Sequence, residues 1–284
     1  MATGLSGASV GQALGGAVDA LTAAGVESPR LDAELLLERA SGLSRADLTA
    51  SPEAELPVGS GREFASLIRR RIGREPVAYI LGSKGFRSIE LCCDRRALIP
   101  RPETELLVEI AVELSPERVL DVGTGTGAIA LAVASELPEC EVVACDTSAA
   151  ALDLARENAA ALRLEHRVEF VSGSMPGDGR PFDLLLANLP YVSEREWQGL
   201  EPELRDFEPR EALVPGPTGM EAFIELLSGR SGLARLSELP RAIALEVGAG
   251  QADGVSGLVR EAGYPQVEVR PDLAGTERVV IGRR

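Results

Sequence analysis

Histidine is almost absent from this chain. Its one example, His166, lies in a polar turn, Leu164-Glu165-His166-Arg167, where a surface side chain is expected, so histidine-based catalysis and histidine-rich metal sites are set aside. Cysteine is scarce too. Cys92, Cys93, Cys140 and Cys145 show no metal-ligand spacing, and the adjacent pair would point to opposite faces of a strand. Reduced, partly buried thiols are the expectation. Basic residues fall short: 29 Lys and Arg face 44 Asp and Glu, a formal net charge of -15. A broad grip on nucleic acid needs cations to neutralise phosphates, so a protein or small-molecule substrate is expected instead. No run of eighteen apolar residues occurs, and residues 1–16 lack the basic and continuous apolar regions of a leader. A cytoplasmic protein without membrane contact is the expectation. Internal repeats and low-complexity tracts are missing as well.

What is present reads as a folded chain. The 284 residues, 45% hydrophobic with Pro and Gly scattered, allow one large domain and one small one, ordered nearly throughout. From residue 10 to about 73, Ala13, Ala17 and Leu21, then Leu31, Leu35 and Leu36, then Phe64, Leu67, Ile68 and Ile72 recur at helical spacing. Breakers at Gly25, Ser28-Pro29, Gly42 and residues 52–61 separate these runs, with Ser28 and Ser44 as N-caps. Two strand-like pieces follow, residues 85–91 and 97–99, which predict a hairpin linking the domains. The organisation expected is a helical domain at 1–82, a hairpin linker at 83–102 and a catalytic domain at 103–284. In the last, helices at 103–114, 127–136, 149–162, 220–236 and 251–262 alternate with strands at 118–122, 141–145, 167–171, 182–187, 242–247, 266–270 and 278–281. That pattern predicts an α/β fold, a doubly wound, mostly parallel sheet of seven strands with the last antiparallel.

Two motifs carry chemistry. The strand Val119-Leu120-Asp121-Val122 runs into Gly123-Thr124-Gly125-Thr126-Gly127, where glycines let the backbone turn sharply and approach a ligand at the switch point of the sheet. Nineteen residues on, Asp146 at the tip of the next strand can accept hydrogen bonds from both hydroxyls of a ribose. The turn also fits a G-x-G-x-x-A dinucleotide site. Asp121 tilts the choice towards S-adenosylmethionine, because an acid there would repel a pyrophosphate and suit an amino group. After the third strand, Ser174 could bond an adenine amine and Met175 could lie against the ring; an ordinary polar loop is the alternative.

The second motif is Asn188-Leu189-Pro190-Tyr191, after a strand. An amide or aromatic amine is a poor nucleophile because its lone pair is delocalised, so it must be held in plane with that pair aimed at the methyl. The Asn188 side-chain oxygen and the Leu189 carbonyl can each take one N–H. Tyr191 can cover the flat group and Pro190 stiffens the turn. Orientation supplies most of the advantage, and no strong base is needed. A simple strand-ending turn would use the same residues.

Flanking segments sharpen this. Residues 75–82 (Glu-Pro-Val-Ala-Tyr-Ile-Leu-Gly), 98–105 (Leu-Ile-Pro-Arg-Pro-Glu-Thr-Glu), 207–213 and 272–278, together with the glycine turn, resemble the protein-(glutamine-N5) methyltransferases that modify the Gly-Gly-Gln loop of peptide chain release factors. The resemblance covers nearly the whole chain. It implies S-adenosylmethionine as donor, held by residues 123–127 and Asp146, with Asn188 serving both cofactor and glutamine, and N-terminal helices that help dock the release factor. Two positions depart from the family pattern: Leu189 replaces the first proline of Asn-Pro-Pro-Tyr, and Ser174 replaces an acid. Asn-Leu-Pro-Tyr also resembles the tetrapeptide of ribosomal RNA adenine-N6 dimethyltransferases, a rival that the acidity opposes; an inactive methyltransferase-like binding module is a further alternative. Arg69-Arg70-Arg71 with Arg74 is the one cationic cluster, either a solvated helix face or a contact for an acidic release factor.

Overall fold

Strands that read as unbroken apolar runs do so because both faces of their sheet are covered. The computed structural model describes residues 9–177 and 179–284; residues 1–8, half of the segment read above for a leader, lie outside the described residues. The chain divides into two compact units, Met1–Gly82 and Ser83–Arg284. Among the described residues no helix is long and apolar enough to cross a membrane.

Among the described residues the first unit holds five helices, α1 (Val10–Ala23), α2 (Pro29–Ser41), α3 (Arg45–Ala50), α4 (Ser60–Ile72) and α5 (Val77–Leu81). Ser9 and Ser44 close capping boxes with Gln12 and Asp47, satisfying amides that have no partner inside the helix. Ser28 does precede α2, but its side chain makes no capping bond, and Pro29 at the first helical position starts the helix instead. Leu14, Leu21, Leu36, Leu37, Phe64 and Ile68 form the core. The arginine cluster is divided between internal ties and an exposed face. Arg71 is buried and its Nε donates to Asp32 Oδ2 at 2.7 Å, Arg70 pairs with Glu75 at 2.7 Å, and Arg74 donates to the carbonyls of Ala24 and Gly25. Of the four guanidinium groups, two stitch α4 and its end to the first two helices, while Arg69 and Arg70 stay exposed.

The second unit opens with a hairpin, β1 (Ser83–Phe86) and β2 (Ile89–Cys92). The hairpin therefore folds the first strand-like piece, 85–91, back on itself, turning at Arg87 with φ 51, and residues 97–99, expected as its second strand, form a loop. Then come α6 (Glu105–Leu114), β3 (Arg118–Val122), α7 (Ala128–Glu136), β4 (Glu141–Asp146), α8 (Ala149–Ala161), β5 (Val168–Ser172) and β6 (Leu184–Ala187). The rest is α9 (Glu194–Trp197), α10 (Pro202–Phe207), α11 (Glu221–Ser228), β7 (Ala242–Glu246), α12 (Ala252–Glu261), β8 (Gln266–Pro271) and β9 (Glu277–Arg283). The seven-stranded sheet has the order β5-β4-β3-β6-β7-β9-β8, with β9 antiparallel to both neighbours: the doubly wound sheet expected.

Side chains alternate between the two faces. Val119, Val142, Ala144, Leu184 and Leu186 point into one core layer with α6 and α7. Leu120, Val143, Leu185, Ile243 and Leu245 point into the other with α11 and α12. The α11 segment is shorter than the 220–236 expected, because the chain breaks at Gly229 and Gly232. A Cβ on Gly232 would collide with the Leu226 carbonyl, so only glycine permits this reversal. The break brings Ser231 and Gly232 to the rim of the site. Strand order reverses between β3 and β6, which are paired with Val122 beside Ala187. Ligands of open α/β sheets bind at such a reversal, and both sequence motifs start there.

Candidate active site

The turn after β3 takes its shape from backbone conformations that L side chains avoid. Gly123, Gly125 and Gly127 all have positive φ, and a Cβ on Gly127 would lie 3.0 Å from Leu131 Cδ1 and 3.3 Å from Ala155 Cβ. The amides of Gly123 and Thr124 both donate to the Cys145 carbonyl, at 2.9 and 3.0 Å, tying the turn to the end of β4. Asp146 completes the tie: one carboxylate oxygen accepts from Gly125 N at 2.9 Å and the other from Ser148 N at 2.8 Å. Asp146 also lines the cavity. Buried Asn158 braces the turn from behind, donating to the carbonyls of Thr126 and Cys92.

Asp121 has a different place from the one expected. It is 0% exposed, with Oδ2 accepting from Thr124 Oγ1 at 2.6 Å and Ala130 N at 3.2 Å. Its carboxyl fastens the glycine turn to α7 and is not among the groups lining the cavity. Burial pushes its pKa up to about 7.

At the end of β6, the Asn188 Nδ2 donates to Thr104 Oγ1 at 2.9 Å, and Thr104 Oγ1 donates to Glu246 Oε2 at 2.6 Å. Among the described residues no N–H or O–H donates to Asn188 Oδ1 or to the Leu189 carbonyl. The Leu189 side chain rests on Gly123, its Cδ2 3.4 Å from where a Cβ would stand. Tyr191 leans away from the cavity: its hydroxyl donates to Glu246 Oε1 at 3.4 Å and its carbonyl accepts from Gln251 Nε2 at 3.0 Å. Burial and the Glu246 charge raise its pKa to about 12. The sequence expected Tyr191 to cover the reacting group. Its hydroxyl is instead bonded to Glu246, and the residue is not among those lining the cavity.

The cavity between these elements measures about 300 Å³. Of the residues singled out from sequence, Gly123, Thr124, Gly125, Thr126, Asp146, Ser174, Asn188, Leu189 and Pro190 line it. Gly127, Met175 and Tyr191 do not. Met175 is 2% exposed and belongs to the core layer under the third strand, and the Ser174 hydroxyl is taken by the Ser231 carbonyl at 2.9 Å. The facing wall comes from the loop at Ile99-Pro100-Arg101 and the turn at Pro209, Glu211 and Ala212. Glu208, buried, ties the two together, accepting from Ile99 N at 3.0 Å and Arg101 Nη2 at 2.5 Å, while Arg95 stacks on Phe207, 4.6 Å from the ring centre. Thr104, Glu208 and Glu246 received no role from sequence. The signal for Glu246 was there, an acid closing the apolar run Ala242-Ile243-Ala244-Leu245.

Comparison with known proteins adds names to this geometry. Residues 12–82 match the family described as PrmC N-terminal domain, and residues 102–200 match the Methyltransferase small domain. The chain is 42% identical over 280 residues to the release factor glutamine methyltransferase of Moorella thermoacetica, covering 96% of this chain and 98% of that one. It is 42% identical to the protein of the same name from Deinococcus radiodurans, covering 93% and 94%. Among solved structures, the hMettl16 catalytic domain in complex with a MAT2A 3'UTR hairpin superposes with a TM-score of 0.57 at 15% identity, covering 73% of this chain and 81% of that one. That likeness is one of fold.

Proposed function

Because this chain belongs to the release factor glutamine methyltransferase family, we propose that it methylates the side-chain amide nitrogen of the glutamine in the Gly-Gly-Gln loop of peptide chain release factors. One observation carries the reading. At the sheet's reversal point, beside a glycine turn, an asparagine amide is pinned through its nitrogen, and its oxygen has no protein donor among the described residues. A pair of acceptors, Asn188 Oδ1 and the Leu189 carbonyl, suits a group that carries two N–H bonds.

S-adenosylmethionine fits the adjoining cavity. Its net charge is positive, a sulfonium and an ammonium against one carboxylate, and the carboxylates of Asp146, Glu211 and Glu225 line the space. The two arginines there are already paired, Arg96 with Asp94 and Glu157 and Arg101 with Glu208. A pyrophosphate would meet the wrong sign, which disfavours a dinucleotide. Gly123 to Thr126 would lie against the donor, and Asp146 would accept from its ribose hydroxyls. Bound there, the donor supplies a methyl carbon already activated by a sulfonium.

The residues of the chain then act by placement. Asn188 Oδ1 and the Leu189 carbonyl each accept one N–H of the glutamine amide, which fixes its plane and stabilises positive charge developing on nitrogen. Leu189 in place of proline leaves this role intact, since the position contributes a carbonyl and its side chain packs on Gly123. The helical unit, 1–82, docks the release factor, the stretch 83–102 links it, and 103–284 performs the transfer. Four free cysteines suit a reducing, cytoplasmic compartment.

Mass spectrometry of a release factor incubated with the chain and S-adenosylmethionine tests this. One added methyl on the loop glutamine is expected, and Asn188→Ala should lose transfer while keeping its circular dichroism. An unmodified glutamine, or unchanged turnover in that variant, overturns the reading. The adenine-N6 and inactive-module alternatives predict, respectively, methyl transfer to RNA and donor binding without any transfer.

A further inference from the structure

The geometry points to Glu246 as the residue that sets which way the Asn188 amide faces, acting through the single proton of Thr104. The inference rests on the reading above and deepens it. An asparagine amide has an acceptor end and a donor end of nearly equal size, so packing alone does not choose between them. A flipped Asn188 would turn its NH2 towards the substrate's own NH2, two donors face to face, and the glutamine could not be held.

A threonine hydroxyl owns one proton. With Glu246 Oε2 only 2.6 Å away, a charge-assisted bond claims that proton. The Thr104 oxygen then presents only lone pairs to Asn188, 2.9 Å away, and the Asn188 atom meeting it must be a donor. Nδ2 is thereby held and Oδ1 is left for the substrate. Without the carboxylate, Thr104 could donate to Oδ1 and the wrong orientation would cost nothing. Glu246 is 1% exposed and closes β7, Thr104 is buried before α6, and Tyr191 holds the second carboxylate oxygen from the loop after β6. A buried acid costs free energy unless its bonds are made; here each oxygen has a partner.

The groups facing the Glu246 carboxylate are Thr104, Tyr191, Arg278 of β9 and Glu103. Burial outweighs the first three and raises its pKa to about 7. Below that pH Glu246 gains a proton, its claim on the Thr104 proton weakens, and Asn188 is free to flip. Activity should therefore fall on the acid side, with a limb near the Glu246 pKa.

Three variants test the assignment with a release factor as substrate. Thr104→Val keeps shape and removes the hydroxyl; kcat should drop roughly tenfold or more with donor affinity, read by calorimetry, unchanged. Thr104→Ser restores the hydroxyl and should recover most of the loss. Glu246→Gln can still accept from Thr104 through its amide oxygen, so it should stay active at alkaline pH while the acid limb disappears. Wild-type kcat in Thr104→Val, or an intact acid limb in Glu246→Gln, overturns the inference while the proposed reaction stands. Should Thr104→Val not fold, the serine and glutamine variants decide between the same outcomes. If the wild-type chain fails to methylate any release factor, it is the reaction that is wrong.

Discussion

Asp121 keeps a carboxyl group where there is no water to solvate it, and that placement has a price in pH dependence. Oδ2 makes two hydrogen bonds, whereas Oδ1 has no partner among the described residues. Burial is the main cause of its raised pKa, opposed by the bonds from Thr124 and Ala130 and aided by the charge of Asp146. A pKa of about 7 in the folded chain against 3.8 for an ordinary aspartate means that the native state takes up a proton that the unfolded chain releases. Stability is then greatest on the acid side of the window and is lost as pH rises towards the folded pKa, by on the order of 4 kcal/mol. Asp121→Asn keeps an acceptor oxygen for Thr124 and Ala130 and removes the charge. Thermal melts from about pH 5 to about pH 8 should give a clearly flatter stability curve for the variant than for wild type. The curve should not become level, because Glu246 titrates in the same direction. Equal slopes would assign the pH dependence to other groups.

Between elements, the site depends on ties that join segments far apart in the chain. Glu208 follows α10, yet it accepts from Ile99 N and Arg101 on the facing loop. Glu208→Ala would leave a buried amide without its acceptor and a guanidinium without its partner, a loss of about 3 kcal/mol. Glu208→Gln retains an acceptor for Ile99 and should lose less. Urea midpoints measure the difference, and donor affinity should weaken in the same order because the wall of the cavity loosens. Such ties explain what could be read from sequence. The strands from β3 to β9 and the glycine turn were legible because each is a local pattern, an apolar run or a cluster of residues with positive φ. The joining of Asn188 to the glycine turn was legible too, since topology alone places the ends of β3 and β6 side by side. Residues 97–99 misled because Ala-Leu-Ile is apolar for another reason: Ala97 and Ile99 bury against the site in a loop held by Glu208. Tyr191, Met175 and Asp121 carried the right chemistry for ligand contact, but their direction is decided by partners such as Glu246 and Ala130. No local pattern reveals that.

Across the whole molecule, charge decides between substrates that the fold alone would allow. The fold alone does not name the substrate, and a planar NH2 group occurs on adenine as well as on glutamine. Binding a folded RNA requires enough cations to displace the counterions of its phosphates, and the resulting affinity falls steeply with salt. Here the formal net charge is -15. Many arginines that could form a basic surface are paired internally: Arg70 with Glu75, Arg87 with Glu136 and Glu109, Arg96 with Asp94 and Glu157, and Arg270 with Glu113 and Glu268. Each such pair neutralises a cation that a phosphate would otherwise attract. A labelled RNA hairpin should therefore show no measurable retention by the chain in filter binding at roughly physiological salt, while a release factor under the same conditions is methylated. Lowering the salt should not rescue RNA binding, because the long-range field of this molecule repels a polyanion, and weaker screening strengthens that repulsion. Hairpin binding that tightens steeply as salt falls would mean that a local basic face outweighs the net charge, and the adenine reading would regain its place.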